Sequence, residues 1–184
     1  MNSLTNKYRT LRGVLRYILY LLTGLLFSLG LFILLVLSGL FGKIPDKQGF
    51  MQIQNPMATE VYTADGVLMG TYYIQNRQYL ESSEIPGSIR NALVATEDAR
   101  FYSHKGIDSR SLFRVFFKTI LLNKEGSGGG STLSQQLAKN LYPRTDHGVL
   151  SMPVNKVREM AIARRMEQVY TKDEILEMYL STVP

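Results

Sequence analysis

The sequence predicts a mainly α protein with one transmembrane helix and a short N-terminal β-hairpin. Three observations carry that expectation. Residues 17–42 hold no charged side chain and are rich in Leu, Phe and Ile. Two β-favouring runs flank Ala64-Asp65-Gly66. From Pro86 onward, apolar residues recur at helical spacing between capping residues, with no internal repeat.

Roughly 20 apolar residues cross a hydrocarbon core, so residues 17–42 can span it with some tilt. The run is long and lacks an Ala-x-Ala pattern, which argues against a removable signal peptide. Lys7, Arg9, Arg12 and Arg16 precede it, whereas Lys43 and Asp46 follow. By the positive-inside bias, residues 1–16 form a cytoplasmic basic tail and the chain beyond residue 43 lies outside. Residues 43–57, with Pro45, Gly49, Asn55 and Pro56, read as a linker, and 58–184 as the domain. The runs 59–63 and 67–74 around Asp-Gly predict a hairpin.

A helix is expected from about Pro86 to Glu97 or Asp98, burying Ile89, Leu93 and Val94. Asp108-Ser109 reads as the cap of a second, over 109–122. Its apolar residues point nearly all round, so it is either wholly buried or dipped into a bilayer surface with Arg110, Arg114 and Lys118 at the headgroups. A glycine-rich loop at 125–131 feeds a helix at 132–141, and further helices are expected at 152–169 and 172–180. The last opens on the capping box Thr171-Lys172-Asp173-Glu174.

The formal net charge of +6 calls for an anionic partner. A basic domain outside the membrane is a poor nucleic-acid binder, which leaves an anionic lipid-linked substrate as the better expectation. The chain has no cysteine, which excludes disulfides and thiolate metal sites. About 140 residues outside the membrane suffice for one modest core.

Three segments could carry chemistry, and each has a plainer reading. Glu97 and Asp98 end a helix, where the macrodipole disfavours carboxylates by about 0.3–1 kcal/mol each; they are either functional or an acidic turn that is exposed or paired with Arg100. Gly128-Gly129-Gly130-Ser131-Thr132 brings glycines into a helix N-terminus, either an anion site or a linker with an ordinary cap. No Gly-Lys-Ser/Thr follows, so it is not a P-loop. Lys156 and Glu159 stand at i,i+3 spacing, which also suits a simple ion pair.

Taken in order, these segments resemble the peptidoglycan glycosyltransferases, the lysozyme-like domains of class A penicillin-binding proteins and their monofunctional relatives. The resemblance rests on Glu-Asp-x-x-Phe-x-x-His-x-Gly at 97–106 and Gly-x-Thr-x-x-Gln-Gln-x-x-Lys-Asn at 130–140. Lys-x-x-Glu at 156–159 and Lys172-Asp173-Glu174-Ile175-Leu176-Glu177-Met178-Tyr179-Leu180 complete it. It implies polymerisation of lipid II into a growing β-1,4 glycan strand, with inversion and release of a polyprenyl diphosphate, at the outer face of the bacterial plasma membrane. Other cell-wall synthesis proteins are then conceivable partners.

The reaction needs a carboxylate base for the attacking hydroxyl and fixed cations for the leaving diphosphate. By the resemblance, Glu97 is the base. Glu159 is the second carboxylate, assisting at the leaving group or holding a cation or a divalent metal such as Mg or Mn; no His/Asp/Glu cluster here has metal-ligand spacing. Lys139 and Lys156 surround the diphosphate, with Arg158 a further addition. Ser131, Thr132, Gln135, Gln136 and Asn140 line the cleft. Asp98 and His104 shape the first motif.

Two positions depart from the family. Asn155 stands where Arg is usual before the lysine of the third motif, and Ser181 where Asn is usual. The chain also ends at Pro184, before a fifth motif, so the expectation is a truncated domain of reduced stability and with turnover in doubt. Three other readings compete: a lysozyme-like lytic enzyme that needs no diphosphate cluster, a non-catalytic anchored chain that binds lipid II or a partner, and a membrane-surface binding module that uses the Phe-rich 112–122 helix.

Overall fold

The computed structural model describes residues 2–51, 59–72, 82–117 and 129–182. The chain forms two compact units, Met1–Lys43 and Ile44–Pro184.

The first unit is built on α1 (Asn2–Leu37). Within it Arg12–Leu37, with a mean hydropathy of 2.5, is long and apolar enough to cross a membrane. The helix begins inside the basic tail and stops at Leu37, five residues short of the predicted end of the apolar run. Gly39 and Gly42 explain the stop: both adopt positive φ (86° and 120°), which a continuing α-helix does not allow.

The second unit opens with α2 (Lys47–Met51). Part of the expected linker is therefore helical, and it is not peripheral. Phe50 is 1% exposed and stands edge-to-face with Tyr142 and Tyr170, at ring separations of 6.2 and 6.4 Å. Tyr170 Oη donates to the Phe50 carbonyl at 2.8 Å, and Arg165 Nη1 donates to the carbonyls of Ile44 and Pro45, both at 3.1 Å. Burying the Phe50 ring contributes about 2–3 kcal/mol.

The hairpin pairs β1 (Thr59–Tyr62) with β2 (Leu68–Tyr72) antiparallel, Thr59 opposite Tyr72, with a register irregularity at Val61/Tyr62. Its turn is closed by Gly66 N–H donating to the Thr63 carbonyl at 2.9 Å. The predicted ends of both runs, Thr63 and Val67, belong to the turn, and residues 73–74 lie outside the described residues.

The helices follow in the expected order: α3 (Gly87–Glu97), α4 (Ser109–Phe116), α5 (Leu133–Leu141), α6 (Ser151–Val169) and α7 (Lys172–Thr182). Asp108 caps α4 by accepting from Arg110 N and Ser111 N, and Thr132 caps α5 by accepting from Gln135 N. The capping box forms too: Glu174 Oε2 accepts from Thr171 N at 2.6 Å, and Thr171 Oγ1 accepts from Glu174 N at 3.3 Å.

α5 packs between α6 and α7. The core holds Phe101, Leu133, Leu137, Ala138, Ile162, Met166, Ile175, Leu176 and Tyr179, joined by Ile44 and Phe50. α3 lies on its margin: Leu93 and Val94 pack partly buried against it, but Ile89 is 50% exposed, contrary to expectation. The wholly buried reading of the second helix does not hold for its described part, since Phe113 and Phe117 are exposed. Residues 118–122 lie outside the described residues.

Candidate active site

The site is assembled where the end of α3, the start of α5 and the first half of α6 converge. α3 stops at Glu97 because Asp98 leaves helical geometry (φ −154°, ψ 73°), sending consecutive carboxylates in different directions. Asp98 turns into the protein. It meets His104 Nε2 at 2.9 Å and accepts from Leu133 N at 3.1 Å, occupying a free donor at the N-terminus of α5. Glu97 stays exposed and accepts from Gln136 Nε2 at 2.9 Å. Gln136 Oε1 in turn accepts from Tyr179 Oη at 3.0 Å. Burial raises the Tyr179 phenol above its ordinary pKa, and the Glu97 charge adds to the rise.

The acidic turn is not paired with Arg100. That guanidinium goes to Asp108, donating from Nε at 3.0 Å and also from Nη2. The pairing holds the Asp108 carboxyl well below the usual carboxylate range.

Gly106 fixes the next approach. Its φ is +83°, and a Cβ there would lie 2.7 Å from the Ala163 carbonyl carbon and oxygen on α6. Its own carbonyl accepts from Thr132 Oγ1 at 2.8 Å and Gln135 Nε2 at 3.3 Å, both buried. Thr132 and Gln135 thus hold the loop to α5, although both residues also border a recess.

Two recesses meet at Glu97. One, of about 300 Å³, is lined by Thr96, Glu97, Gly129, Ser131, Gln135, Gln136, Lys139, Arg144 and Glu159. The other, of about 430 Å³, shares Thr96, Glu97, Gly129 and Ser131 and continues past Arg100, Asp108, Ser111 and Arg114.

At the far side of the first recess, Glu159 is buried, accepting from Arg144 Nε at 2.8 Å and Lys156 Nζ at 3.3 Å. Lys156 Nζ also donates to Ser131 Oγ at 2.6 Å, tying the glycine-rich segment to α6. The i,i+3 ion pair is therefore real, and it stands in the cleft wall. Each Glu159 oxygen already faces a cation, so these residues do not fit a divalent metal there. Among the described residues, no group of three or more His, Cys, Asp or Glu could hold one.

Of the candidates, Glu97, Glu159, Ser131, Gln135, Gln136 and Lys139 line one recess, Thr132 the other, and Lys156 bonds to two lining residues. Asn140 is exposed and lines neither. Arg158 is buried and points elsewhere, donating from Nη1 to Thr145 Oγ1 at 3.2 Å and Asn155 Oδ1 at 3.4 Å. Ser181 is buried, and its hydroxyl finds no partner among the described residues. Arg144 was missed by sequence reasoning: it lies in the irregular Tyr142-Pro143-Arg144-Thr145 stretch, where no periodicity marks it.

Residues 65–184 match the family described as Transglycosylase. The chain belongs to this family. It is 35% identical over 141 residues to penicillin-binding protein 1A of Escherichia coli, covering 77% of this chain and 16% of the relative. It is 39% identical over 124 residues to penicillin-binding protein 1F of Bacillus subtilis (67% and 17%), and 35% identical over 162 residues to penicillin-binding protein 1A of Aquifex aeolicus (87% and 21%). The chain spans about a fifth or less of the length of these curated relatives. The transglycosylase match takes in the hairpin's second strand and every helix from α3 to α7.

Proposed function

We propose that this chain polymerises lipid II into peptidoglycan glycan strands by inverting glycosyl transfer. One observation carries the reading: an accessible carboxylate, Glu97, stands at the meeting of two recesses, one walled by Lys139, Arg144 and the Lys156–Glu159 pair. Joining two sugars needs two substrates side by side with a base between them, and the cationic recess suits the donor diphosphate.

Glu97 takes the proton from the acceptor 4-hydroxyl as its oxygen attacks the donor anomeric carbon from the face opposite the diphosphate. The carbon–oxygen bond to the diphosphate breaks, and its electron pair leaves with the polyprenyl diphosphate. Lys139, Arg144 and Lys156 offset the growing negative charge. Glu159 holds Arg144 and Lys156 in register and is not itself a proton carrier. Gln136, braced by Tyr179, aims the base.

α1 supplies the anchor, with the basic residues of its N-terminal end on the cytoplasmic side and the domain at the outer face, where lipid-linked sugars are presented. The test is polymerisation of fluorescent lipid II by the detergent-solubilised chain, run beside Glu97→Gln and Lys139→Ala. The expected result is glycan from the unaltered chain, none from Glu97→Gln, and a loss of at least tenfold for Lys139→Ala. Equal product from Glu97→Gln overturns the mechanism. Cleavage of preformed glycan that ignores Lys139→Ala favours a lytic enzyme.

A further inference from the structure

We infer that Asn155 is a positioning residue: its carboxamide grips the backbone of Thr145 and so holds Arg144 on Glu159. The inference rests on the glycosyl transfer proposed above and adds to it the device that sets the cationic wall.

Asn155 is 3% exposed. Its Nδ2 donates to the Thr145 carbonyl and to the Ser151 carbonyl, both at 2.7 Å, and its Oδ1 accepts from Thr145 N at 3.2 Å. Both backbone polar groups of one loop residue are thus satisfied by a single side chain on α6. Arg158 adds to the grip, its Nη1 reaching both Thr145 Oγ1 and Asn155 Oδ1. The residue gripped is the one after Arg144, whose Nε donates to Glu159 Oε1 at 2.8 Å. That ion pair alone is a weak fixture, because the Arg144 side chain is 38% exposed and surface pairs contribute little. Backbone hydrogen bonds from a buried amide constrain the loop far more.

The chemistry at position 155 is therefore specific. Only a side chain that donates and accepts at once can hold both Thr145 groups. The arginine that the family resemblance leads one to expect there could donate to the carbonyl, but it would leave Thr145 N–H without its acceptor. Thr145 itself is exposed, so water can take over the lost bonds. The loss is then of geometry more than of stability, and a misplacement of about 1 Å near reacting groups costs up to ~100-fold in rate.

The test uses the full chain in detergent, as Asn155→Ala, Asn155→Arg, Arg144→Ala and the Asn155→Ala/Arg144→Ala pair. Expected are a roughly ten- to hundredfold fall in kcat/KM for lipid II on Asn155→Ala, and less than twofold further loss when it is added to Arg144→Ala. Trypsin cleavage of the Arg144–Thr145 bond should speed up in both Asn155 variants. An Asn155→Ala effect that multiplies in full with Arg144→Ala, or cleavage at the unaltered rate, overturns the inference. An unaltered chain that makes no glycan defeats the proposed function instead, and the cleavage rates then decide the grip alone.

Discussion

Replacing Glu159 by Gln keeps the side chain's shape and removes only its charge, leaving Arg144 and Lys156 facing each other across a neutral amide. Hydrogen bonds to charged groups contribute about 1.5–3 kcal/mol when shielded. Here the cationic side chains remain 38% and 31% exposed, so solvent screening brings each contribution down to about 1 kcal/mol. The two together give a destabilisation of about 2 kcal/mol. For a domain of about 140 residues, unfolding entropy near 0.3 kcal/mol/K turns that into a Tm fall of about 7 °C. The chain has no tryptophan, so far-UV circular dichroism in detergent is the suitable probe. A Tm within 2 °C of the unaltered chain (a margin of roughly 0.6 kcal/mol) refutes the reasoning.

Two more outcomes follow from the scaffold. Gly106→Ala forces a Cβ into the α6 backbone at a positive φ and should cost about 3 kcal/mol or more, read as a Tm fall of about 10 °C. Asp108 has a folded-state pKa depressed by Arg100, so its contribution is full above the unfolded carboxylate pKa and is lost as pH falls toward the folded one. Stability should therefore drop below about pH 4, and Asp108→Asn, which keeps a capping oxygen, should flatten that drop in thermal melts taken across the acid range.

Helix starts were legible in the sequence wherever a short polar side chain satisfies its own local backbone, as at Asp108, Thr132 and Thr171. Such signals need no knowledge of tertiary packing. Phe50 was not legible: Pro45, Gly49 and Asn55 around it speak for an irregular segment, and only docking against Tyr142 and Tyr170 makes it core. The site shows the same division. Glu97, Gln136, Lys156 and Glu159 stand in regular elements whose motifs mark them. Arg144 owes its place to hydrogen bonds from the following helix, and Arg158, expected at the substrate, is drawn into those bonds. The split of Glu97 from Asp98 depends on one pair of backbone angles that residue type does not announce.

The contact between Glu97 and Gln136, and that between Gln136 and Tyr179, also set an order of assembly. The Glu97 carboxylate is held by a residue on α5, which is itself braced by one on α7. At roughly 5–20 residues per second, the stretch from Glu97 to Tyr179 takes about 4–16 s to synthesise. Until Tyr179 is made, Glu97 and Gln136 lack the phenol that braces the glutamine. The bracing of the Glu97 carboxylate through Gln136 is therefore complete only when α7 docks.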